Sequence, residues 1–564
     1  MGGTGELCST PMPIEHYTGT FGNAELRHLL RRTLFGASPA DMAHFQGMAL
    51  DAVVAELLTF SNAATPPIKA YSGTTPGGEQ DPNLVDAVVP FGQPWINYVR
   101  QMGNPPNPIP KRNESLQNWW VGQLVGQERN LREKLTLFWS NHVPVQISIV
   151  FKPECSYWYN QLLRSGCKGN ARDLMVQLAC DGAMLVYLNG MYNVAGAPDE
   201  NFGRELMELF TLGVDSGYTQ ADVAAAARVF TGWTVVENLN GSPVLPQVVF
   251  MPDNHDQGDK QFSSFFNNTL IQGQQGPDGG LAEIGAFMDM VFANETCSLF
   301  LVRQLYRWFV RTEIEPEVED DVIAPLAQLF RDTVAAPDQI AQVLQALLTS
   351  AHFFSTEVRG CMVKSPFDLT IGLIRASNMA MPGPDHWEAQ YNVWSKIRLL
   401  MADAGQSIGE VPTVAGWPAY YQEPLFDLTW MDSASVIARA NMCQRVGNFG
   451  MTTPSTLVLP ADRNLFYSID FVALVAQFAA PSNPDALVQE AADLLFGVPV
   501  SDAVLLQLKT QYLLLGQVSN YYWTSAYTTY ANDPGTTDPT AMQVPGMLKA
   551  LFMAMLGAAE FQLM

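Results

Sequence analysis

Apolar side chains return every three or four residues from Ala24 to about Phe60, in AELRHLLRRTLFGASPADMAHFQGMALDAVVAELLTF. That spacing predicts two amphipathic helices. Ser38 followed by Pro39 supplies an N-cap and a first-turn residue for the second of them. The same period runs from Glu114 to about Trp233, through LQNWWVGQLV, LREKLTLFWSNHV, NARDLMVQLACDGAMLVYL, ENFGRELMELFTL and TQADVAAAARVFTGW. Thr219 stands three residues before Asp222, a relative of the capping box in which each side chain satisfies an orphan backbone donor. Between Thr234 and Gly280 the period shortens to extended pieces such as PVLPQVVF beside a polar loop, MPDNHDQGDKQFSSF, which predicts a small hairpin or insertion. Helical spacing then resumes and persists to the terminal GMLKALFMAMLGAAEFQLM.

Residues 61–113 carry Pro and Gly at linker density and read as long surface loops around a short element near Trp95. The expected fold class is therefore mainly α: a single large multi-helix body with Pro/Gly-rich loops and a minor β-hairpin element near residues 234–280. Its expected organisation is an N-terminal extension (1–23), a helical core (24–450) with insertions at 61–113 and 234–280, and a C-terminal helical segment (451–564) packed on that core. No fixed-period repeat points to a solenoid.

Charge narrows the partners. Among 564 residues, 55 are acidic and 31 basic, a formal net charge of −24 that repels phosphate backbones, so nucleic acid is not an expected partner. Seven cysteines are spread along the chain without CxxC or Cys/His zinc-finger spacing; Cys155, Cys167 and Cys180 are near enough in sequence for a local bridge in an oxidising compartment. The opening residues lack the basic and apolar regions of a signal peptide, and no stretch of about 20 apolar residues predicts a membrane span.

Against this low charge density, NFGRELMELFTLG (201–213) is unusual. On a helix, Asn201, Glu205 and Glu208 form one polar stripe and Phe202, Leu206 and Leu209 an apolar one. Two carboxylates so placed can share a proton, ligate a cation, or divide into acid and base. The plainer reading is a solvated face with an Arg204–Glu208 ion pair contributing roughly 0.2–0.5 kcal/mol. Asn141 and His142 follow an amphipathic helix, where the histidine serves either as a C-terminal cap or as general base or metal ligand. His255, Asp256, Asp259 and Lys260 share a polar loop that could be a simple turn, a calcium-holding loop or a His–Asp pair, although the full EF-hand pattern is absent. Trp417, in PTVAGWPAYY, offers a flat face for a sugar or a plug for the core, and Lys364 before Ser365–Pro366 could pair a buried carboxylate or bind an anion. The residues require no cofactor, and they leave open whether a divalent cation such as calcium is bound. No G-x-S-x-G, H-E-x-x-H, P-loop or dinucleotide fingerprint is present.

Seven blocks in order, HLLRRTLFGASPADM, LREKLTLFWSNHV, ENFGRELMELFTLGVDSGYTQADVAAAARVFTGW, HDQGDKQF, VKSPFDL, PTVAGWP and AAEFQ, together resemble the Domain of Unknown Function 1800 family. The resemblance implies an exported bacterial protein, periplasmic or extracellular, commonly encoded beside a second exported family that is similar to sulfatases and phosphatases. It also implies histidines at the positions held here by Ser140 and Phe210; their loss weakens the case for a His-rich metal site.

Two functions are expected from these features. In the first, an exported hydrolase or lyase acts on an extracellular glycan, with His142, Glu205, Glu208, His255 and Asp256 as catalytic groups. Asn141, Asn201, Arg204, Lys260, Lys364 and Trp417 would bind substrate, possession of a cation being left open. In the second, a non-catalytic exported scaffold or binding protein works with a sulfatase-like partner, and the same residues fix helix packing.

Overall fold

Side-chain caps set many of the helix starts. Ser38 Oγ accepts the Asp41 N–H at 3.1 Å and opens Pro39–Phe45. Thr219 and Asp222 close a reciprocal capping box at the start of Gln220–Val229. The fold is mainly α, as the periodicity predicts, and among the described residues the strands form only two-stranded antiparallel pairs. The structure, a computed structural model, describes residues 14–61, 64–101 and 107–564. Residues 1–13 of the expected extension, Cys8 among them, lie outside that range.

The first apolar run forms three helices rather than two, Asn23–Thr33, Pro39–Phe45 and Leu50–Leu57, because the chain turns at Gln46 and Gly47. Residues 64–101 are not a loose surface loop. The Trp95 ring is buried with Nε1 donating to Ser115 Oγ at 3.0 Å, and buried Lys69 donates to the carbonyls of Asp86 and Val89. Arg112, from the helix Ile109–Val125, pairs with Asp86 at 2.8 Å and Glu154 at 2.6 Å, all three side chains fully buried. These charges compensate one another, which is the condition for keeping ions out of water.

The predicted hairpin pairs Trp233–Leu239 with Ser242–Phe250. Its two-residue turn, Asn240–Gly241, has positive φ at both positions, the conformation that matches strand twist. A second small pair, Lys260–Gln261 with Leu270–Ile271, follows it.

The C-terminal helices close onto the core through backbone pairing. Val363 bridges Leu563, Lys364 N–H donates to Gln562 at 2.8 Å, and Met564 N–H donates to Met362 at 2.9 Å. Buried Arg32 donates to the carbonyls of Val358 and Met564, so the first helix, the VKSPF turn and the final residues meet in one place. Cys155, Cys167, Cys180, Cys297, Cys361 and Cys443 are free thiols. Among the described residues no single helix is long and apolar enough to cross a membrane; Gly279–Phe292 and Glu295–Phe309 reach that length and composition only together, bent by 80°.

Candidate functional site: an acidic shelf on a π segment

The helix that begins at Glu200 is α-helical only to Glu205 and continues as a π-helix over Leu206–Thr211. Leu212 N–H donates to the Met207 carbonyl at 2.9 Å and Thr211 Oγ1 to the Leu206 carbonyl at 2.6 Å, both five residues back. The wider turn changes which side chains face inward. Phe202, Leu206, Met207 and Phe210 are buried, whereas Leu209, expected on the apolar stripe, is only partly so. π-turns inside helices recur at functional sites because they aim side chains that a regular helix would not.

Close packing fixes this segment against Gln220–Val229: a Cβ at Gly203 would stand 3.1 Å from the Ala226 Cβ. Arg204 turns away from Glu208 and pairs with Glu200 at 2.8 Å and Gln220 at 3.0 Å. The expected Arg204–Glu208 pair does not form. Asn201 is also committed, its amide donating to the Leu188 carbonyl at 3.2 Å.

Glu205 and Glu208 are therefore left half-buried, with no hydrogen bond or ion pair to either carboxylate among the described residues. Burial, then the neighbouring Glu208, raises the Glu205 pKa, against a smaller pull from Arg204. Two tyrosines border the pair. Burial and Glu208 push Tyr218 up to about 12, and burial, Glu205 and Glu410 raise Tyr187. Glu410, which sequence reasoning missed, accepts from Ser148 Oγ at 2.6 Å and from the Gln117 amide at 3.1 Å, and burial raises its pKa as well. It lies two residues before PTVAGWP, and only the fold brings it toward Tyr187.

The histidines do not join this shelf. His142 is buried behind it, its Nε2 2.9 Å from the Phe210 carbonyl, stacked on Phe138 at 5.7 Å and edged by Trp139 and Phe300. Burial drives its pKa down to about 4, so it is neutral at physiological pH. His255 belongs to a separate buried network: Nδ1 is 2.9 Å from the Thr231 carbonyl, and Nε2 lies 3.2 Å from Glu283 without hydrogen-bond alignment. Glu283 pairs with fully buried Lys260 at 2.6 Å. Asp256 accepts from Arg228 Nε at 2.7 Å and Nη2 at 2.9 Å, and Asp259 accepts the Gly273 N–H at 3.0 Å. The carboxylates of this loop, expected as a calcium site, are thus already engaged, and among the described residues no group of three His, Cys, Asp or Glu could hold a metal ion.

The remaining expected binding residues are structural in their contacts. Trp417 is a core plug, 7% exposed, with its main-chain N–H donating to Asn141 Oδ1 at 2.8 Å and its ring 6.0 Å from Trp430. Lys364 is buried, donates to the Phe561 carbonyl at 2.7 Å and lies over the Phe561 ring; burial brings its pKa down to about 7. Asp368, a candidate carboxylate partner for it, pairs instead with Lys134.

Compared with known proteins, residues 28–563 match a family whose description reads "Protein of unknown function (DUF1800)". No curated protein and no solved structure matches.

Proposed function

The chain belongs to the DUF1800 family, whose description names no chemistry, and from the site we propose an exported bacterial hydrolase that cleaves a neutral extracellular glycan with a carboxylate pair. Glu205 is the general acid and Glu208 the general base. One observation carries this reading: two adjacent carboxylates are partly withdrawn from water and given no internal donor. Neither carboxylate is committed to an internal contact, so both stay open to a ligand from outside, while partial burial raises the Glu205 pKa.

Glycoside hydrolysis uses such a pair. Glu205, biased toward the protonated form, gives its proton to the glycosidic oxygen as the bond to the anomeric carbon breaks. Glu208 accepts a proton from the attacking water, whose oxygen completes the new hemiacetal; proton exchange with solvent restores both groups. Tyr187 and Tyr218 beside the pair suit sugar hydroxyls and ring faces. Elimination from a uronate polymer fits less well, since it needs a cation on the substrate carboxylate and the nearby Arg204 is occupied. A net charge of −24 also disfavours polyanions. Export follows from the family resemblance.

The test is release of reducing ends from a panel of neutral glycans by wild type, Glu205→Gln and Glu208→Gln. Wild-type activity lost at least 100-fold in each variant supports the proposal; activity retained in either variant, or none in wild type across the panel, refutes it.

A second reading, a non-catalytic scaffold working with a sulfatase-like partner, is favoured by a different observation. His142, His255 and Asp256 are all consumed by internal bonds. Its signature is an inactive wild type that co-purifies with the partner regardless of Glu205 and Glu208.

A further inference from the structure

Far along the sequence from the acidic shelf, the first helix lines a cleft of about 350 Å³ with Ala24, Arg27, His28 and Arg31, a single stripe at helical spacing. Gln489, Ala492 and Asp493 from Pro484–Leu495, the apolar turn Phe496–Val500, and Thr356 and Arg359 complete the lining. Most of the exposed wall is apolar, yet three guanidinium groups face it with one carboxylate. In a chain carrying 55 acidic and 31 basic residues, that local excess of cations runs against the overall charge.

The three arginines differ. Arg27 pairs with Asp493 at 3.0 Å and Arg359 with Glu25 at 2.8 Å. Arg31 has no carboxylate partner among the described residues. Its Nη2 donates to the carbonyls of Asp493 and Leu494, while Nε and Nη1 have no protein acceptor. Arg359 Nε, unlike these atoms, is fully buried without an acceptor. His28 adds no charge: burial and Arg32 hold its pKa well below the usual range, and Nε2 is engaged by the Phe353 carbonyl at 3.0 Å. A guanidinium offers planar, directional donors to a carboxylate or phosphate.

We propose that this cleft binds a small amphipathic anion, a carboxylate or phosphate monoester on an apolar body, with its head on the free edge of Arg31 and its body against Phe496, Val498 and Val500. The volume lies in the range of small-molecule sites that combine apolar walls with a few fixed polar groups. The site shares none of its lining residues with the acidic shelf, so it stands or falls independently of the hydrolase reading.

Calorimetric titration of the full chain with decanoate, decyl phosphate, decyltrimethylammonium and acetate tests it. Either decyl anion is expected to bind at least tenfold more tightly than the cation or acetate, and the tighter of the two identifies the head group. Arg31→Gln should weaken that anion at least tenfold, and Arg31→Lys by less. Val500→Asp, at a partly exposed wall position, keeps the test informative should Arg31→Gln misfold, and should abolish binding. Equal binding of the decyl cation, equal binding of acetate, no binding by either decyl anion, or unchanged affinity in folded Arg31→Gln or Val500→Asp protein overturns the proposal.

Discussion

Asn141 Oδ1 accepts the main-chain N–H of Trp417 at 2.8 Å across 276 residues of sequence. The bond joins the end of the helix Arg132–His142 to the PTVAGWP turn and seats the indole in the core. The turn can approach only because residue 416 is glycine. Its φ is +98°, and a Cβ there would lie 2.7 Å from the Asn141 carbonyl oxygen.

Gly416→Ala should therefore destabilise the protein by about 2 kcal/mol or more, combining left-handed backbone strain with the collision. Asn141→Ala, which strands a buried N–H, should cost about 1–3 kcal/mol. Urea denaturation followed by tryptophan fluorescence reads both; a Gly416→Ala midpoint equal to wild type would show that the turn relaxes freely.

His142 gives the protein a pH-dependent term. Its ring titrates near 6.5 when unfolded and near 4 when folded, because burial disfavours the imidazolium. The unfolded chain therefore binds more protons between those values, so this contribution is complete above about pH 6.5 and falls away toward pH 4, a span of about 3 kcal/mol. Asp181, pushed up to about 7 by burial, acts oppositely, losing its contribution as pH rises through that value. Comparing wild type with His142→Gln isolates the histidine. The stability advantage of wild type should shrink from pH 7 to pH 4.5, and a difference that stays constant would mean the ring protonates without unfolding.

The Glu205–Glu208 pair should show the usual signature of function against stability. Each Gln variant is expected to unfold at an equal or slightly higher temperature than wild type near pH 7. Folding raises the Glu205 pKa, so the ionised form is the disfavoured one above it. Partial exposure keeps the gain small. A marked loss of thermal stability in both variants would point to a structural role.

Glu283→Gln leaves fully buried Lys260 only its longer ion-pair contact with Asp256 at 3.9 Å and should cost about 3 kcal/mol. Asp256→Asn, at a partly exposed pair with Arg228, should cost about 1 kcal/mol or less. Equal effects in denaturant titrations would contradict this division between inner and outer charges.

What the sequence disclosed was local. The caps at Ser38 and Thr219 and the adjacency of Glu205 and Glu208 follow from spacings of three residues, within the reach of one helical turn. The hairpin was expected from the apolar run PVLPQVVF; the Asn240–Gly241 turn just before it, a stronger cue, went unread. Partners set by tertiary packing left no such trace. His142 was a plausible base by residue type, but four aromatic rings from three places in the chain bury it. Glu410 lay outside every block and Arg31 stood in one only as part of an amphipathic helix, and their surroundings depend on residues hundreds of positions away. The wide turn at Leu206–Thr211 was invisible because a 3.6-residue period was assumed throughout.

That wide turn holds one more residue per circuit than an ordinary coil. Shortening Leu206–Thr211 by a single position would let the coil wind regularly, and each later side chain would swing by about 100° relative to Glu205. Such a shortened chain could keep its hydrophobic composition while losing the alignment of its two acidic neighbours, separating the demands of folding from those of the site.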